Sequence, residues 1–558
     1  MANFLEQLDA QIAELFSSWN LYTTIIAVCL AAFVAYPIIF WEEPDTHPLL
    51  LARQSAPSPV RHSGESATYR SPEVPHGYPL KSGLNVKDAG APRWAGGKDG
   101  DIRDIWREVM RGGEGDSPAG MIMTVMGKEG VYEHNLKDVS KEINIIGKHL
   151  QQTGGKRVAI YLPNELEYLS AIFACAFYGL SAILIPYNQP QDVVMKLLND
   201  TGADCLIAAA GSLPLEEVCS KVSGIEQVTW VVESTSRHMD WTGAPEEAKG
   251  KVRVSVWHEL VDDGKAQASS ELPSNDESPE LGRIVTIWHE KHGGASQIVE
   301  FTQKNIVSAV GALSSALPLR QRLSPADLVL PADSFSHSYV LCLTFAALFN
   351  HASLAINSVA GPGVELPRVT RSVSPTIIIA SAETLANTHT AETAGISSSI
   401  QKIAHVSQSQ AQSAGRMPTD TLLFKLLAPS GNTPGKLRLI FTSERVGASS
   451  PALSSTMLSD LRIFTRSRIC YALTAANVAG AVAQTNLFDY RGTDGTQHSH
   501  FGVPLSSVEV KLVSKNDAKV DGNLPEGEIV VSGPAVAGGQ TKLGVSGSFR
   551  EDGTLAYA

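Results

Sequence analysis

Short apolar runs alternate with helical patterns from residue 157 onward. The run RVAIYL (157–162) is typical of a buried strand, EYLSAIFACAFYGL (167–180) of an apolar helix, and SAILIPY (181–187) of the next strand. A further helical pattern leads to a third strand, DCLIAAA (204–210). Because strands that alternate with helices usually pair side by side and in parallel, this part of the chain predicts an α/β fold with helices on both faces of a sheet.

The same alternation continues in the second half of the chain and changes character near its end. Five more apolar runs have strand-like length: RIVTIW, LVLPA, SLAINSV, TIIIAS and LRLIFTS. After residue 500 the pattern becomes one of short alternating strands separated by turns, in HFGVPLSSVEVKLVS, GEIVVSG and GTLAYA. This last pattern predicts a small β-barrel or sheet.

The first hundred residues follow other patterns. Residues 1–20 place apolar side chains at helical spacing, which predicts a short amphipathic helix. Residues 21–41 carry no charge, and a helix of about 20 residues crosses a bilayer core of ~30 Å, so we predict a transmembrane helix. Residues 42–100 are rich in Pro, Ser and Gly and predict an extended tether or surface wrap.

Charge around this apolar segment predicts its orientation. The charged side chains before it are all acidic, and the first arginines after it are Arg53, Arg61 and Arg70. The positive-inside rule then places the large C-terminal part in the cytosol. A buried helix of a soluble protein is the alternative.

Composition excludes one class of partner. The chain has 558 residues and a net charge of −12, so it lacks the basic footprint of a nucleic-acid-binding protein. Its six cysteines are scattered without a C-x-x-C pair, which predicts reduced, mostly buried thiols.

Three blocks of sequence resemble one known superfamily. Residues 157–188 resemble the first conserved block of the adenylate-forming (AMP-binding) enzymes, and residues 501–539 resemble a later block of the same enzymes. Residues 420–443 are similar to a segment of long-chain acyl-CoA synthetases that runs from a helix into a strand. The resemblance covers roughly residues 101–558, because the order and spacing of the blocks agree.

This resemblance implies a specific architecture. It implies an α/β fold with two doubly wound, mostly parallel sheets plus a small β-barrel, preceded here by the predicted transmembrane helix. We expect an AMP-binding-like domain at 101–558, with subdomains at about 101–275, 281–485 and 495–558.

Members of this superfamily use ATP to convert a carboxylate into an acyl-adenylate, with a loop rich in Ser, Thr and Gly that ends in Lys-Gly around the phosphates. Val299, Phe301, Thr302 and Asn305 keep the register that follows this loop. The loop itself retains only Gly294 of the pattern, and Gln297 and Ile298 stand where the lysine and the last glycine belong. The residues that the resemblance aligns with phosphate binding have therefore lost most of that chemistry.

Other motifs are altered in the same direction. Tyr471 and Thr474 match the family, but the carboxylate that binds Mg²⁺ is replaced by Ala475 and the ribose-binding aspartate by Val545. Residues 444–445, glutamate and arginine, stand at the small-residue positions of the adenine-binding turn. The sequence ends before the family's hinge, so the lid domain with its catalytic lysine is expected to be absent.

Few candidate site residues remain. The resemblance implies a vestigial nucleotide cleft at Gly294, Thr302, Tyr471 and Thr474, and it implies an acyl-pocket residue at His337. No catalytic residue and no metal ligand are predicted. The loop IWHEKHGGASQIVEF (287–301) leaves three alternatives open: a solvated loop, a zinc site on His-Glu-x-His, and a phosphate loop on its lysine and glycine pair.

These losses lead to a functional hypothesis. We expect a membrane-anchored, catalytically inactive acyl-CoA synthetase-like protein that acts as a scaffold, a lipid sensor or a partner of an active acyl-CoA synthetase or other lipid enzyme. No cofactor is expected. The alternative is an active fatty acid–CoA ligase, seen as a truncated product, that uses ATP, Mg²⁺ and CoA. A third option, acyl-thioester hydrolysis, lacks a nucleophile–base pair. The family's association with lipids favours the endoplasmic reticulum, with the mitochondrial outer membrane and the peroxisome as alternatives.

Overall fold

The computed structural model describes most of the chain. The described residues are 17, 19–39 (backbone alone for 33–39), 43–87, 91–92, 94–112, 119–126, 130–232, 252–274, 281–289, 296–418, 436–492, 498–522 and 524–558. They fall into two compact units, residues 1–46 and residues 47–558, which are described separately below.

The first unit contains one described helix, α1 (Leu21–Ile39). Asn20 begins it, because its side-chain oxygen accepts hydrogen bonds from the backbone N–H groups of Tyr22 (2.9 Å) and Thr23 (3.0 Å). Within the described residues no helix combines the length and the apolar character needed to cross a membrane, so the predicted span at 21–41 is not confirmed. The predicted amphipathic helix at 1–20 lies almost wholly outside the described residues.

The second unit is built from helices and strands in alternation. Its helices are α2 (Pro48–Ala52), α3 (Ile102–Arg111), α4 (Leu136–Gln152), α5 (Leu166–Phe177), α6 (Gln191–Thr201), α7 (Leu215–Lys221), α8 (Trp257–Gly264), α9 (Gln303–Ala316), α10 (Ser338–Phe349), α11 (Leu366–Val369), α12 (Ala382–Gly395), α13 (Ser399–Ser413), α14 (Ser455–Thr465) and α15 (Asp517–Val520), with a 3₁₀ turn at Leu319–Gln321.

Its strands are β1 (Ala56–Pro57), β2 (Tyr69–Arg70), β3 (Ile122–Val125), β4 (Val131–His134), β5 (Arg157–Tyr161), β6 (Ser181–Leu184), β7 (Cys205–Ala209), β8 (Gln227–Val231), β9 (Arg253–Val256), β10 (Ile284–Trp288), β11 (Gln297–Phe301), β12 (Leu328–Pro331), β13 (Ser353–Ile356), β14 (Ile377–Ile379), β15 (Leu439–Arg445), β16 (Arg468–Thr474), β17 (Ala483–Gln484), β18 (Val503–Pro504), β19 (Glu509–Val513), β20 (Glu526–Ser532), β21 (Gln540–Phe549) and β22 (Leu555–Tyr557).

A seven-stranded sheet forms the first layer, in the order β11-β10-β6-β5-β7-β8-β9. All neighbours in it are parallel except β10 and β11, which pair as an antiparallel hairpin. Its central strands β5, β6 and β7 are the predicted runs at 157–162, 181–187 and 204–210, and their side chains are almost all buried. Continuous apolar runs of this kind suit parallel strands, which helices cover on both faces. The predicted α/β fold with parallel sheets is therefore confirmed.

A nine-stranded sheet has the order β18-β17-β16-β15-β14-β12-β13-β3-β4. Its six central strands, from β16 to β3, are parallel, and antiparallel strands close both edges. The three isoleucines of β14 are fully buried, as a central strand requires. The parallel strands of this sheet carry half of the cavity described below.

The third sheet is antiparallel and has six strands, in the linear order β1-β2-β19-β20-β21-β22. The sequence pattern predicted a small barrel or sheet, and the structure has an open sheet rather than the barrel that the resemblance implied. In the described part of the chain the two end strands, of two and three residues, do not pair with each other. Strands β1 and β2 come from the segment 42–100, where Tyr69 pairs with Val510 and stacks on Phe549 at a centroid distance of 3.6 Å.

Candidate functional site

A cavity of about 750 Å³ opens where the carboxyl ends of parallel strands from both large sheets meet. The loops after β5, β6 and β10 line one side, and the loops after β12, β13, β14 and β15 line the other. Ligands of α/β proteins commonly bind at the carboxyl ends of the strands, and this volume suits a small molecule. The cavity is therefore the candidate site.

One asparagine joins the two sides of the cavity. Asn164 follows β5 and is 2% exposed. Its Nδ2 donates to the carbonyl oxygen of Asp333 (2.8 Å), and its Oδ1 accepts from the backbone N–H of Phe335 (3.0 Å). Since both partners follow β12, this side chain fixes the distance between the ends of the two sheets.

A buried ion pair forms the floor on the second side. Nη2 of Arg445, at the end of β15, lies 2.6 Å from Oδ2 of Asp333, and the two side chains are 12% and 3% exposed. Burial raises the pKa of Asp333, and the positive charge of Arg445 opposes that rise. The backbone N–H of Ser334 also donates to Asp333, at 2.8 Å. The charge of Arg445 is thus neutralised inside the protein.

Two histidines face the same cavity. His337 precedes α10, and burial, Arg445 and His289 together hold its pKa well below the usual value. Burial also lowers the pKa of His289. Its Nδ1 lies 2.9 Å from Oγ of Ser296, while its Nε2 is buried without a hydrogen-bond partner among the described residues. Both rings are accordingly neutral near pH 7 and offer hydrogen bonds without charge.

Glu383 and Arg368 complete the polar lining. Glu383 lies in the first turn of α12, and its Oε2 is buried without a hydrogen-bond partner in the described part of the chain. Arg368 lies on the short helix α11 and is exposed at the cavity. Within the described residues, the cavity therefore presents one carboxylate and one guanidinium that do not pair with another side chain.

The turn at the end of β15 is filled by its own glutamate. Glu444 is 5% exposed. Its Oε2 accepts a hydrogen bond from the hydroxyl of Tyr471, and its Oε1 lies 2.9 Å from Nδ1 of His498. Burial, and then the charge of Glu444, raise the pKa of Tyr471 well above its usual value. The carboxylate is therefore buried within the turn and hydrogen-bonded to Tyr471.

The structure brings only some of the predicted residues together. His337 lies in the cavity, whereas Tyr471 is fully buried beside Glu444, and Thr474 donates to the carbonyl oxygen of Glu444 (2.9 Å). Thr302 caps α9: it accepts from the backbone N–H of Asn305 at 3.2 Å, and the side chain of Asn305 accepts from its backbone N–H at 2.9 Å. Gly294 lies outside the described residues.

Two altered motif positions have new contacts. Gln297, where the resemblance expects a lysine, begins β11 opposite Trp288 and donates from Nε2 to Oδ1 of Asn477 at 3.3 Å. Ala475 is buried at the end of β16. Neither side chain carries a charge for a phosphate or a metal ion.

A metal site finds no support in the described residues, where no three His, Cys, Asp or Glu side chains are placed to hold an ion. Of the zinc alternative only His289 is described, because residues 290–295 lie outside that part of the chain.

Sequence reasoning missed several lining residues. Asn164 and Glu383 line the cavity, and Asp333 pairs with the lining residue Arg445. Each of the three follows a buried strand by two to four positions, and that position at the carboxyl end of a strand was the available signal. Arg368 offered no signal, because it follows an irregular loop.

Comparison with known proteins agrees with this geometry. A family model of AMP-binding enzymes matches residues 123–280. The acetyl-coenzyme A synthetase of Streptomyces avermitilis is 29% identical over 147 residues, which are 24% of this chain. The aligned part spans 21%, about a fifth, of that relative's own length.

Solved structures match over far more of the chain. A long-chain-fatty-acid–CoA ligase from Archaeoglobus fulgidus is 15% identical with a TM-score of 0.58, and 86% of each chain is covered. Anthranilate CoA ligase in complex with anthranoyl-AMP is 14% identical with a TM-score of 0.57, covering 85% of this chain and 79% of that one. The N-terminal domain of FACL13 from Mycobacterium tuberculosis is 13% identical with a TM-score of 0.56, covering 82% and 99%.

At these identities the solved structures show the fold, and the match over residues 123–280 adds the sequence signature. The chain therefore resembles AMP-binding enzymes in sequence over residues 123–280, and its fold is that of the solved acyl-CoA ligase structures.

Proposed function

We propose that this chain is a catalytically inactive acyl-CoA synthetase-like protein that acts as a scaffold, a lipid sensor or a partner subunit. The observation that carries the proposal is Glu444. Its carboxylate is buried in the turn that the family leaves to adenine, where the Tyr471 hydroxyl donates a hydrogen bond to it and Nδ1 of His498 lies 2.9 Å away. A nucleotide would have to displace this buried, hydrogen-bonded charge, which is energetically costly.

The electrostatics of the neighbouring residues support the same proposal. Arg445 is committed to Asp333 at 2.6 Å and so does not offer a free cation to a phosphate. Gln297 is neutral and hydrogen-bonded to Asn477. Ala475 has no oxygen ligand for Mg²⁺, which prefers carboxylate and water oxygens. We therefore expect neither ATP, Mg²⁺ nor CoA to act as a cofactor.

The second candidate is an active, ATP-dependent fatty acid–CoA ligase. The preserved fold and the cavity at the strand ends favour it. Under this alternative ATP·Mg²⁺ enters the cavity and CoA accepts the acyl group. Losing a single charged or metal-binding group from such a site commonly costs about 10²-fold or more in rate, so several substitutions together argue against it.

Nucleotide titration separates the two candidates. We expect AMP and ATP·Mg²⁺, titrated calorimetrically into the full chain at pH 7.5, to give no saturable heat up to millimolar concentration, and fatty acids to support no exchange between pyrophosphate and ATP. An active acyl-CoA synthetase assayed in parallel provides the positive control. A micromolar dissociation constant for either nucleotide, or measurable exchange, overturns the proposal.

We also propose that the N-terminal helix brings the protein to a membrane, first of all that of the endoplasmic reticulum. Exposed apolar side chains on α1 support this, among them Leu21, Tyr22, Ile25 and Ile26. We expect the full chain to stay with membranes on alkaline extraction, and Ile25→Asp with Ile26→Asp to release it while Ile25→Leu does not. Release of the unaltered chain would contradict the proposal.

A protein partner at that membrane would be an active acyl-CoA synthetase or another lipid enzyme. Crosslinking in membranes followed by mass spectrometry tests this expectation. Recovery of the chain without a lipid enzyme in repeated crosslinking experiments would count against it.

A further inference from the structure

Two residues of opposite charge line the cavity without pairing with each other. Oε2 of Glu383 is buried, and it has no hydrogen-bond partner among the described residues. Arg368 lines the same cavity and is exposed, and its side chain makes no ion pair or hydrogen bond within the described part of the chain. A buried carboxylate oxygen without a donor is unfavourable unless a ligand or solvent donor reaches it.

The remaining charges of the cavity are already neutralised. Arg445 and Asp333 form a close pair at 2.6 Å, with side chains that are 12% and 3% exposed. His289 and His337 contribute neutral imidazoles, because burial lowers the pKa of each. Among the described residues, the charge pattern that a ligand meets is therefore set by Glu383 and Arg368.

The size and the lining of the cavity limit what can enter it. The volume of about 750 Å³ fits a small molecule. Apolar side chains such as Ile287, Val359 and Val364 line the cavity together with polar residues such as Asn164 and Gln189. The complement to such a cavity is small, polar and charged at two points.

We propose that this cavity binds a compact zwitterion, a small molecule that offers an ammonium group to Glu383 and a carboxylate to Arg368. The inference rests on the proposed function, because it assigns the cavity to a ligand other than ATP. The carboxylate of this ligand would be bound without being converted to an adenylate. The two neutral imidazoles add hydrogen bonds to polar groups between the charged ends.

The experiment uses ω-amino acids as probes, since their chain length sets the distance between the two charges. Glycine, 4-aminobutyrate and 6-aminohexanoate are titrated calorimetrically into the full chain at pH 7, each beside the amine and the carboxylate of the same length. We expect saturable binding of at least one zwitterion, and binding about tenfold or more weaker for its singly charged analogues. No saturable binding by any zwitterion, or equal binding by an analogue, overturns the inference.

Variants test the two assigned contacts. Glu383→Gln and Arg368→Gln should each weaken the bound zwitterion by about tenfold, because each removes one charge-assisted hydrogen bond. Glu365→Gln and Arg371→Gln are matched controls: both residues are exposed, flank α11 and do not line the cavity. Circular dichroism checks that each variant is folded. Unchanged affinity in Glu383→Gln, or equal losses in the controls, counts against the assignment.

Parallel titration with AMP and ATP·Mg²⁺ separates this inference from the proposed function. Micromolar nucleotide binding overturns the proposed function, whatever the zwitterions do. If neither the nucleotides nor the zwitterions show saturable binding, only the inference is overturned. Zwitterion binding that both variants weaken supports the inference in either case.

Discussion

The two halves of the second unit differ in how much family sequence they retain. The AMP-binding family model matches residues 123–280, which include β5 to β9 of the seven-stranded sheet. The match stops just before β10, yet the solved structures align over 82–86% of the chain, well into the second half. The fold has thus been kept across both halves, while recognisable sequence has been kept mainly in the first.

The side chains at the cavity explain this difference. The first half contributes uncharged groups such as Asn164 and Tyr187, which interact through packing and hydrogen bonds. The second half contributes Glu383 and Arg445, the latter paired with Asp333, at strand ends where the resemblance places nucleotide binding. Constraints from the fold preserve the first set. Under the proposed function ATP does not bind, and internal charge balance then constrains the second set.

The largest effect is expected when the buried ion pair of the second half, Asp333 with Arg445, loses its carboxylate. Asp333→Asn leaves the guanidinium of Arg445, 12% exposed, without a carboxylate, and we expect a loss of about 3–5 kcal/mol in the free energy of unfolding. Urea denaturation at pH 7 measures it. The double variant with Arg445→Gln should recover much of the loss, because no unpaired charge remains.

An exposed pair from the first half is the matched control. Lys221 and Glu217 lie 2.9 Å apart on α7, with side chains 48% and 40% exposed, and Lys221→Gln should leave the free energy of unfolding nearly unchanged. Similar losses for Asp333→Asn and Lys221→Gln would contradict the contrast between the halves.

The second prediction concerns stability in acid and again involves the second half. Burial lowers the pKa of His500 from 6.5 to about 4, although Asp489 opposes the change, and the backbone N–H of Gly502 donates to its Nδ1 at 3.2 Å. Arg491, Arg550 and Asp552 are the other charged groups that face it. The folded protein keeps this ring neutral while the unfolded chain protonates it, so stability is complete above pH 6.5 and falls towards pH 4.

His500→Gln should therefore flatten the fall in unfolding free energy between pH 6.5 and pH 4 by about 2–3 kcal/mol. Urea denaturation at half-unit steps of pH measures it. His62, which is exposed, provides the control His62→Gln. If the two variants show the same pH profile, His500 is not the titrating group.

The third prediction has the opposite sign and lies in the first half. Burial, and then the nearby charge of Glu167, raise the pKa of Glu142 to about 8, while Nε1 of Trp257 donates to it at 2.9 Å and opposes the rise. The pKa of this carboxyl group is higher in the folded protein than in the unfolded chain. Its contribution to stability is therefore fully present below pH 4.5 and is lost as the pH rises through 8. Glu142→Gln remains neutral and should be about 1–2 kcal/mol more stable than the unaltered chain at pH 9, with no gain at pH 5.

Chemical denaturation at pH 5, 7 and 9 measures the effect of Glu142→Gln. Glu216, exposed on α7, supplies the control Glu216→Gln, which should change nothing with pH. A stabilisation of Glu142→Gln that is the same at all three values would mean better packing and not proton linkage.

The accuracy of the sequence-based predictions follows the same division. Strands β5, β6 and β7 were predictable because helices cover both faces of a parallel sheet and leave continuous apolar runs. Strands β1 and β2 were not, because each is two residues long and is defined by its partner rather than by its own pattern.

Contacts within the candidate site were still less predictable. Asp333 and Arg445 are 112 positions apart, and nothing in either local pattern indicates that they pair. The two substitutions at 444 and 445 were visible as departures from the family, but a departure does not reveal whether the new side chain faces solvent, a ligand or the protein. The structure supplies that information: Glu444 is buried against Tyr471, and Arg445 lies against Asp333.

The smallest expected effect tests a position that the second half has kept. Thr302 caps α9 by accepting from the backbone N–H of Asn305, and Asn305 donates from Nδ2 to the carbonyl oxygens of Pro534 (2.7 Å) and Val536 (3.1 Å). If Thr302 has been retained for the fold and not for phosphate, Thr302→Ala should cost about 1 kcal/mol of unfolding free energy, the usual value of a helix cap. Thr302→Ser keeps the hydroxyl and should be nearly neutral, and both variants should leave nucleotide titrations as silent as those of the unaltered chain. Unchanged stability of Thr302→Ala would show that the helix cap does not explain why this threonine matches the family. Nucleotide binding would then be the remaining explanation for Thr302.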